Sequence, residues 1–131
     1  MRSLRASAGR LPIILVVEDE PLICSLLERT LEERGYKVHA AISADEALEV
    51  AAGCGAIDLL ITDIVLSRGS GQEVARRLRA NGQVYRTLFM SGFRREELVL
   101  DESAGFLPKP FSLRQLLDVV EGMLAGPPND P

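Results

Sequence analysis

The sequence predicts an α/β domain: a doubly wound, five-stranded parallel sheet in the order 2-1-3-4-5, with five helices. Three observations predict it. Short apolar runs alternate with stretches of helical period along the whole length. Apolar residues make up 47% of the chain, enough for one domain of this length to close a core. And the runs break off into charged or polar residues, which collect at one edge once right-handed crossovers make the strands parallel.

The first strand is Ile13–Val17, four of whose five residues are β-branched. A helix over residues 21–34 follows, with Pro21 at its first position, Gly35 as its stop, and Leu22, Ile23, Leu26, Leu27 and Leu31 as its apolar residues. Residues 36–40 make a short edge strand. Ser43 and Glu46 form a capping box that opens a helix over Ala44–Ala52, stopped at Gly53. The third strand is 57–62, followed by Asp63, a glycine-containing loop and a helix over 72–80. Residues 84–90 give the fourth strand, ending at Ser91-Gly92, and 104–107 the fifth. Between them a weak fourth helix is expected over 94–101, because Arg94 and Arg95 stand at the positive end of its dipole. Ser112 with Gln115 caps the last helix, whose apolar face carries Leu113, Leu116, Leu117, Val120 and Leu124. A disordered leader over 1–11, one domain over 12–125 and a disordered tail over 126–131 complete the organisation.

Composition excludes several function classes. A net charge of −4 argues against direct nucleic-acid binding through a global positive field. No apolar run approaches the ~20 residues of a membrane span, and the arginine-bearing start has no hydrophobic stretch of signal-peptide type. Cys24 and Cys54 form no metal-ligand or CxxC pattern and read as free thiols of a cytoplasmic protein. His39 stands alone on an edge strand, with no partner for catalysis.

The chemistry is at the carboxyl edge of the sheet. Strand one runs into Glu18, Asp19 and Glu20, strand three into Asp63, strand four into Ser91, and strand five leads to Lys109. Two unit charges 4 Å apart repel by about 4 kcal/mol at an effective dielectric of 20, so the acids need protons or a cation. An all-oxygen donor set without His or Cys favours a hard ion, Mg²⁺ over zinc. Lys109 is informative because only Lys37 and Lys109 among 15 basic residues are lysine. Its compact ammonium can pair with a carboxylate and then with a phosphoryl oxygen. The acidic loop VEDEP repels the phosphate of a flavin mononucleotide, and no GxxxxGK[ST] loop exists.

Four motifs, ILVVEDEP, LLITDIVLSRGSG, LFMSG and GFLPKPF, resemble in order and spacing the receiver domain of two-component response regulators, the CheY-like family of flavodoxin-like fold. The likeness covers about residues 12–125. It implies Asp63 as acceptor of a phosphoryl group from a phosphohistidine on a histidine kinase or histidine phosphotransfer protein. It implies Mg²⁺ held by Asp19 directly, by Glu18 through water, by Asp63, and by the backbone carbonyl of Val65. Ser91 matches the switch hydroxyl, Phe106 the switch aromatic, Lys109 the lysine of the pattern, and Lys109–Pro110 would be a cis peptide. Such a domain is a phosphoacceptor that assists its own phosphorylation and dephosphorylation rather than an enzyme. Its downstream partner is expected on helix four, strand five and helix five, with a weak homodimer left open. No output domain is expected after the last helix, so the signal is expected to leave through these contacts.

The departures are specific. Glu18 replaces the commoner Asp, Leu66-Ser67 replace the usual Met-Pro, and Phe106 lacks the hydroxyl of the frequent tyrosine. Val65 and Phe93, which the resemblance implies flank the line of attack, offer nothing to orient a hydrolytic water, so slow self-dephosphorylation is expected. The changed loop keeps open a receiver-like module that binds its partner without phosphorylation. An acid-metal phosphatase would want a carboxylate at Val65 as general acid.

Overall fold

Five parallel strands form one sheet in the computed structural model, which describes residues 10–98, 100 and 103–125. In chain order the elements are β1 (Ile13–Val17), α1 (Pro21–Glu33), β2 (Lys37–Ala41), α2 (Ala44–Ala52) and β3 (Leu59–Asp63). They continue with α3 (Gly71–Ala80), β4 (Thr87–Ser91), β5 (Gly105–Pro108) and α4 (Leu113–Ala125). The strand order is β2-β1-β3-β4-β5, as the alternation predicts. His39 lies on the edge strand β2, paired with Leu15 of β1.

Strand period divides the interior in two. Ile14, Val16, Leu59, Ile61, Leu88, Met90 and Leu107 face one side, where Leu27 and Leu31 of α1 and Leu116, Val120 and Leu124 of α4 cover them. The intervening residues Leu15, Val17, Leu60 and Phe89 face the other side, under Ala47 and Ala51 of α2 and Val74 and Leu78 of α3. Burying one such aliphatic side chain is worth about 1.5–3 kcal/mol. Both faces are covered, so the strands read as continuous apolar runs.

The helix ends follow the side-chain chemistry. The Ser43 hydroxyl accepts the Glu46 N–H at 3.1 Å, and the Ser112 hydroxyl accepts the Gln115 N–H at 3.0 Å while Gln115 takes the Ser112 N–H at 2.8 Å. One tie was not apparent in the sequence. Gln83, in the loop before β4, donates from Nε2 to the carbonyls of Ala51 at 2.8 Å and Gly55 at 2.7 Å, capping the end of α2 from another loop. Gln83→Ala is expected to cost about 1–2 kcal/mol, read as a lower urea midpoint at unchanged slope. An unchanged midpoint would show the two bonds to be idle.

Two expectations need correction. Where a fourth helix was expected over 94–101, the described residues hold only a 3₁₀ turn at Arg95–Glu97. Its first donor, the Arg94 N–H, is taken by the Glu97 carboxylate at 2.9 Å, and the two arginines at the positive end disfavour extension. Residues 99 and 101 of that stretch lie outside the described residues. In α1, Leu27 and Leu31 are core as expected, but Leu22, Ile23 and Leu26 are exposed. The buried face instead runs through Cys24, Leu27 and Leu31, at spacings of three and four.

Both thiols are free. Of the expected leader, residues 1–9 lie outside the described residues, as does the tail over 126–131. Arg10 donates to both carboxylate oxygens of Asp58, at 3.0 and 3.2 Å. Among the described residues no helix is long and apolar enough to cross a membrane.

Candidate functional site

The parallel register brings the ends of β1, β3 and β4 to one edge: Val17 pairs with Thr62, and Asp63 with Met90. β5 joins them through Ser91 opposite Pro108, and the next residue, Lys109, donates its N–H to the Ser91 carbonyl at 2.7 Å. The peptide from Lys109 to Pro110 is cis, in line with the motif. Glu18, Asp19, Asp63, Ser91 and Lys109 therefore line one cleft of about 160 Å³, with Val65 and Phe93 at its mouth.

Glu18 is fully buried. Its Oε1 accepts from Lys109 Nζ at 3.0 Å and its Oε2 from the Glu20 N–H at 3.1 Å, where α1 begins. Asp63, 5% exposed, takes the same ammonium on Oδ1 at 2.7 Å. One lysine thus bridges two buried acids from different strands. Asp19 is held differently. Its Oδ2 accepts both the N–H of Ser67 at 2.8 Å and the Ser67 hydroxyl at 2.6 Å. Ser91 is buried, and its hydroxyl accepts the Phe93 N–H at 2.9 Å. Phe106 is half-buried and packs against the α2–α3 side of the core.

Electrostatics set the state of each group. Burial pushes the Asp63 carboxyl up to about 7, and the neighbouring Glu18 adds to the rise, while Lys109 opposes it. Burial lowers the Lys109 ammonium, but hydrogen bonds to Asp63 and Glu18 outweigh it and the net shift is upward. The Ser67 hydroxyl is the largest influence on Asp19 and holds its carboxyl below the ordinary range. Fully ionised, Glu18, Asp19 and Asp63 against Lys109 leave two negative charges over.

One oxygen from each of these three acids lies within 4.8 Å of the others. This all-oxygen, net-negative donor set fits a hard divalent cation and does not suit a soft one. The site residues read from the sequence are brought together, with Phe106 set apart on the face of β5. Missed was Ser67, which looked like a mere substitute for proline. A hydroxyl in the loop after an acidic strand end was the available signal.

Comparison with known proteins accords with this geometry. Residues 14–121 match the family model of the response regulator receiver domain. The sensor kinase CckA of Brucella abortus is 39% identical over 116 residues, 85% of this chain and 12% of that protein. The response regulator MprA of Mycobacterium ulcerans is 36% identical over 118 residues, 85% of this chain and 49% of that protein. The chain thus spans about an eighth of the first and half of the second. Among solved structures, the receiver domain of the hybrid histidine kinase CckA superposes with a TM-score of 0.73 at 34% identity, covering 86% of this chain and 98% of that one. The response regulator TrrA of Thermotoga maritima, solved in complex with Mg²⁺-BeF, gives 0.74 at 32% identity, covering 87% and 100%. With its sheet order, its acidic edge and its family match in agreement, the chain belongs to the response regulator receiver domains, the phosphoacceptor modules of two-component signalling.

Proposed function

We propose that Asp63 accepts the phosphoryl group, from a phosphohistidine on a histidine kinase or histidine phosphotransfer protein. The observation that carries this is the shared ammonium: Lys109 Nζ stands 2.7 Å from Asp63 Oδ1 and 3.0 Å from Glu18 Oε1. An Asp63 oxygen attacks phosphorus in line, forming the O–P bond as the P–N bond of the donor breaks. Lys109 orients that carboxylate and moves part of its pairing to a phosphoryl oxygen. Ser91 turns its hydroxyl from the Phe93 N–H to donate to the new group, and Phe106 moves into the space it leaves. Phosphorylation adds about −1.5 to −2 of charge, which the surface of the 95–97 turn, β5 and α4 reads out to a downstream partner.

Asp19, Glu18, Asp63 and the Val65 carbonyl would hold Mg²⁺; when bound, it supplies charge neutralisation at the carboxylates and at the incoming oxygens. Catalysis here is placement and charge, so the chain assists its own phosphorylation without turning over a separate substrate. The cellular setting we infer is the cytoplasm.

The test is incubation with acetyl phosphate and Mg²⁺, followed by intact mass. A gain of about 80 Da is expected, and none when EDTA removes the metal. Absence of any gain at saturating Mg²⁺ would overturn the proposal. The adduct is also expected to last minutes or longer at neutral pH, because Val65 and Phe93 at the cleft mouth carry no group that orients water. A lifetime of seconds would contradict that role for the two residues.

A further inference from the structure

We propose that Ser67 is a positioning residue that sets the Asp19 carboxylate, and the loop beside it, for divalent-cation binding; this rests on the metal reading above. Ser67 and Asp19 lie 48 residues apart in sequence, yet both donors of Ser67 converge on one oxygen. The N–H reaches Asp19 Oδ2 at 2.8 Å and the hydroxyl reaches it at 2.6 Å. This two-pronged grip fixes the plane of the carboxylate, whose Oδ1 takes neither bond.

Stability alone does not account for it. Ser67 is exposed, so water would satisfy both donors and the Asp19 oxygen at little net cost. What water cannot do is choose one orientation. The loop is already closed at its base, where the Gly71 N–H donates to the Ile64 carbonyl at 2.9 Å and Val65 bridges Ser70. Ser67 ties the tip of that loop to the end of β1. Val65, whose carbonyl is the proposed backbone ligand, is two residues away in the same closed loop. One residue thereby sets two ligands at once. A serine also brings no full positive charge, so it orients the carboxylate without competing with a cation as lysine or arginine would.

Groups that orient metal ligands typically change affinity 10–100-fold when removed. In calorimetric titration with Mg²⁺ alone, Ser67→Ala is expected to bind about tenfold more weakly than wild type, and Ser67→Thr within about threefold of it. The Mg²⁺ concentration giving half-maximal phosphorylation by acetyl phosphate should rise by the same factor. The rate at saturating Mg²⁺ should change less than about twofold, which a general loosening of the fold would not produce. In the Mg²⁺-free protein, the Ser67 amide proton should resonate downfield and move upfield in Asp19→Asn, a reading independent of how Ser67→Ala folds. Equal Mg²⁺ affinity in wild type and Ser67→Ala, or an unmoved amide proton, overturns the role of Ser67 and leaves the metal reading standing. A wild-type protein that takes no Mg²⁺ at millimolar concentration overturns the metal reading, and the role of Ser67 with it.

Discussion

Asp63→Asn is expected to abolish phosphorylation by acetyl phosphate and, in Mg²⁺-free buffer near neutral pH, to leave a protein more stable than wild type. Loss of the adduct follows from replacing the oxygen proposed to attack phosphorus. The gain in stability follows from the burial of the Asp63 carboxylate, to which the nearby Glu18 adds and which Lys109 only partly offsets. Asp63 in the fold titrates at about 7, above the ordinary 3.8. The folded state therefore holds this proton to higher pH than the unfolded chain does. The contribution of Asp63 to stability is fully present below about pH 4 and is lost as pH rises through about 7. Three pH units correspond to about 4 kcal/mol, an upper bound because Lys109 loses one partner in the variant. About 2 kcal/mol in favour of Asp63→Asn at pH 7.5, shrinking towards pH 5, is the expected result of urea titrations in EDTA. Equal stability at pH 7.5 would mean that the acidic edge carries no strain.

Gly71→Ala is expected to be the most destabilising single-methyl change at the site. Gly71 is buried at the start of α3, against the end of β3. A Cβ there would overlap the Asp63 carbonyl oxygen and stand 2.6 Å from Thr62 Oγ1 and 2.9 Å from Thr62 Cγ2. The Thr62 hydroxyl already donates to that carbonyl at 2.9 Å, so backbone and side chain must both shift. Overpacking of this kind costs about 3 kcal/mol, or roughly 10–15 °C in Tm for a chain of this size. The shift would displace Asp63 as well, so phosphorylation should slow along with the loss of stability. Gly122→Ala is the control. It lies on the exposed side of α4 with nothing within 4 Å of its Cβ position, and should gain about 1 kcal/mol. Melting curves of the two variants that coincide with wild type would refute the close approach at Gly71.

Much of this was legible in the residues themselves. Ile13–Val17 and Ala44–Ala52 have the bounds expected from β-branched content and from the Ser43 cap. The acidic edge was legible because parallel strands deliver their ends to one side whatever the loops do. Three features were not. The exposure of Leu22, Ile23 and Leu26 depends on which of two apolar stripes faces the sheet, and periodicity alone does not choose between them. The stretch over 94–101 balanced weak helix propensity against two arginines at its positive end. The bonds from Ser67 to Asp19 and from Gln83 to Ala51 join segments 48 and 32 residues apart; the loop hydroxyl of Ser67 was visible locally, but neither partner was.

The sheet also acts as a bulkhead. Among the described residues, side chains of the α1–α4 compartment and those of the α2–α3 compartment belong to separate packed sets, with the sheet between them. Volume changes on opposite sides of such a wall combine additively, with little epistasis between them. Lineages carrying this domain are thus free to repack the compartment around Phe106 while the one beneath α1 and α4 keeps its jigsaw unaltered.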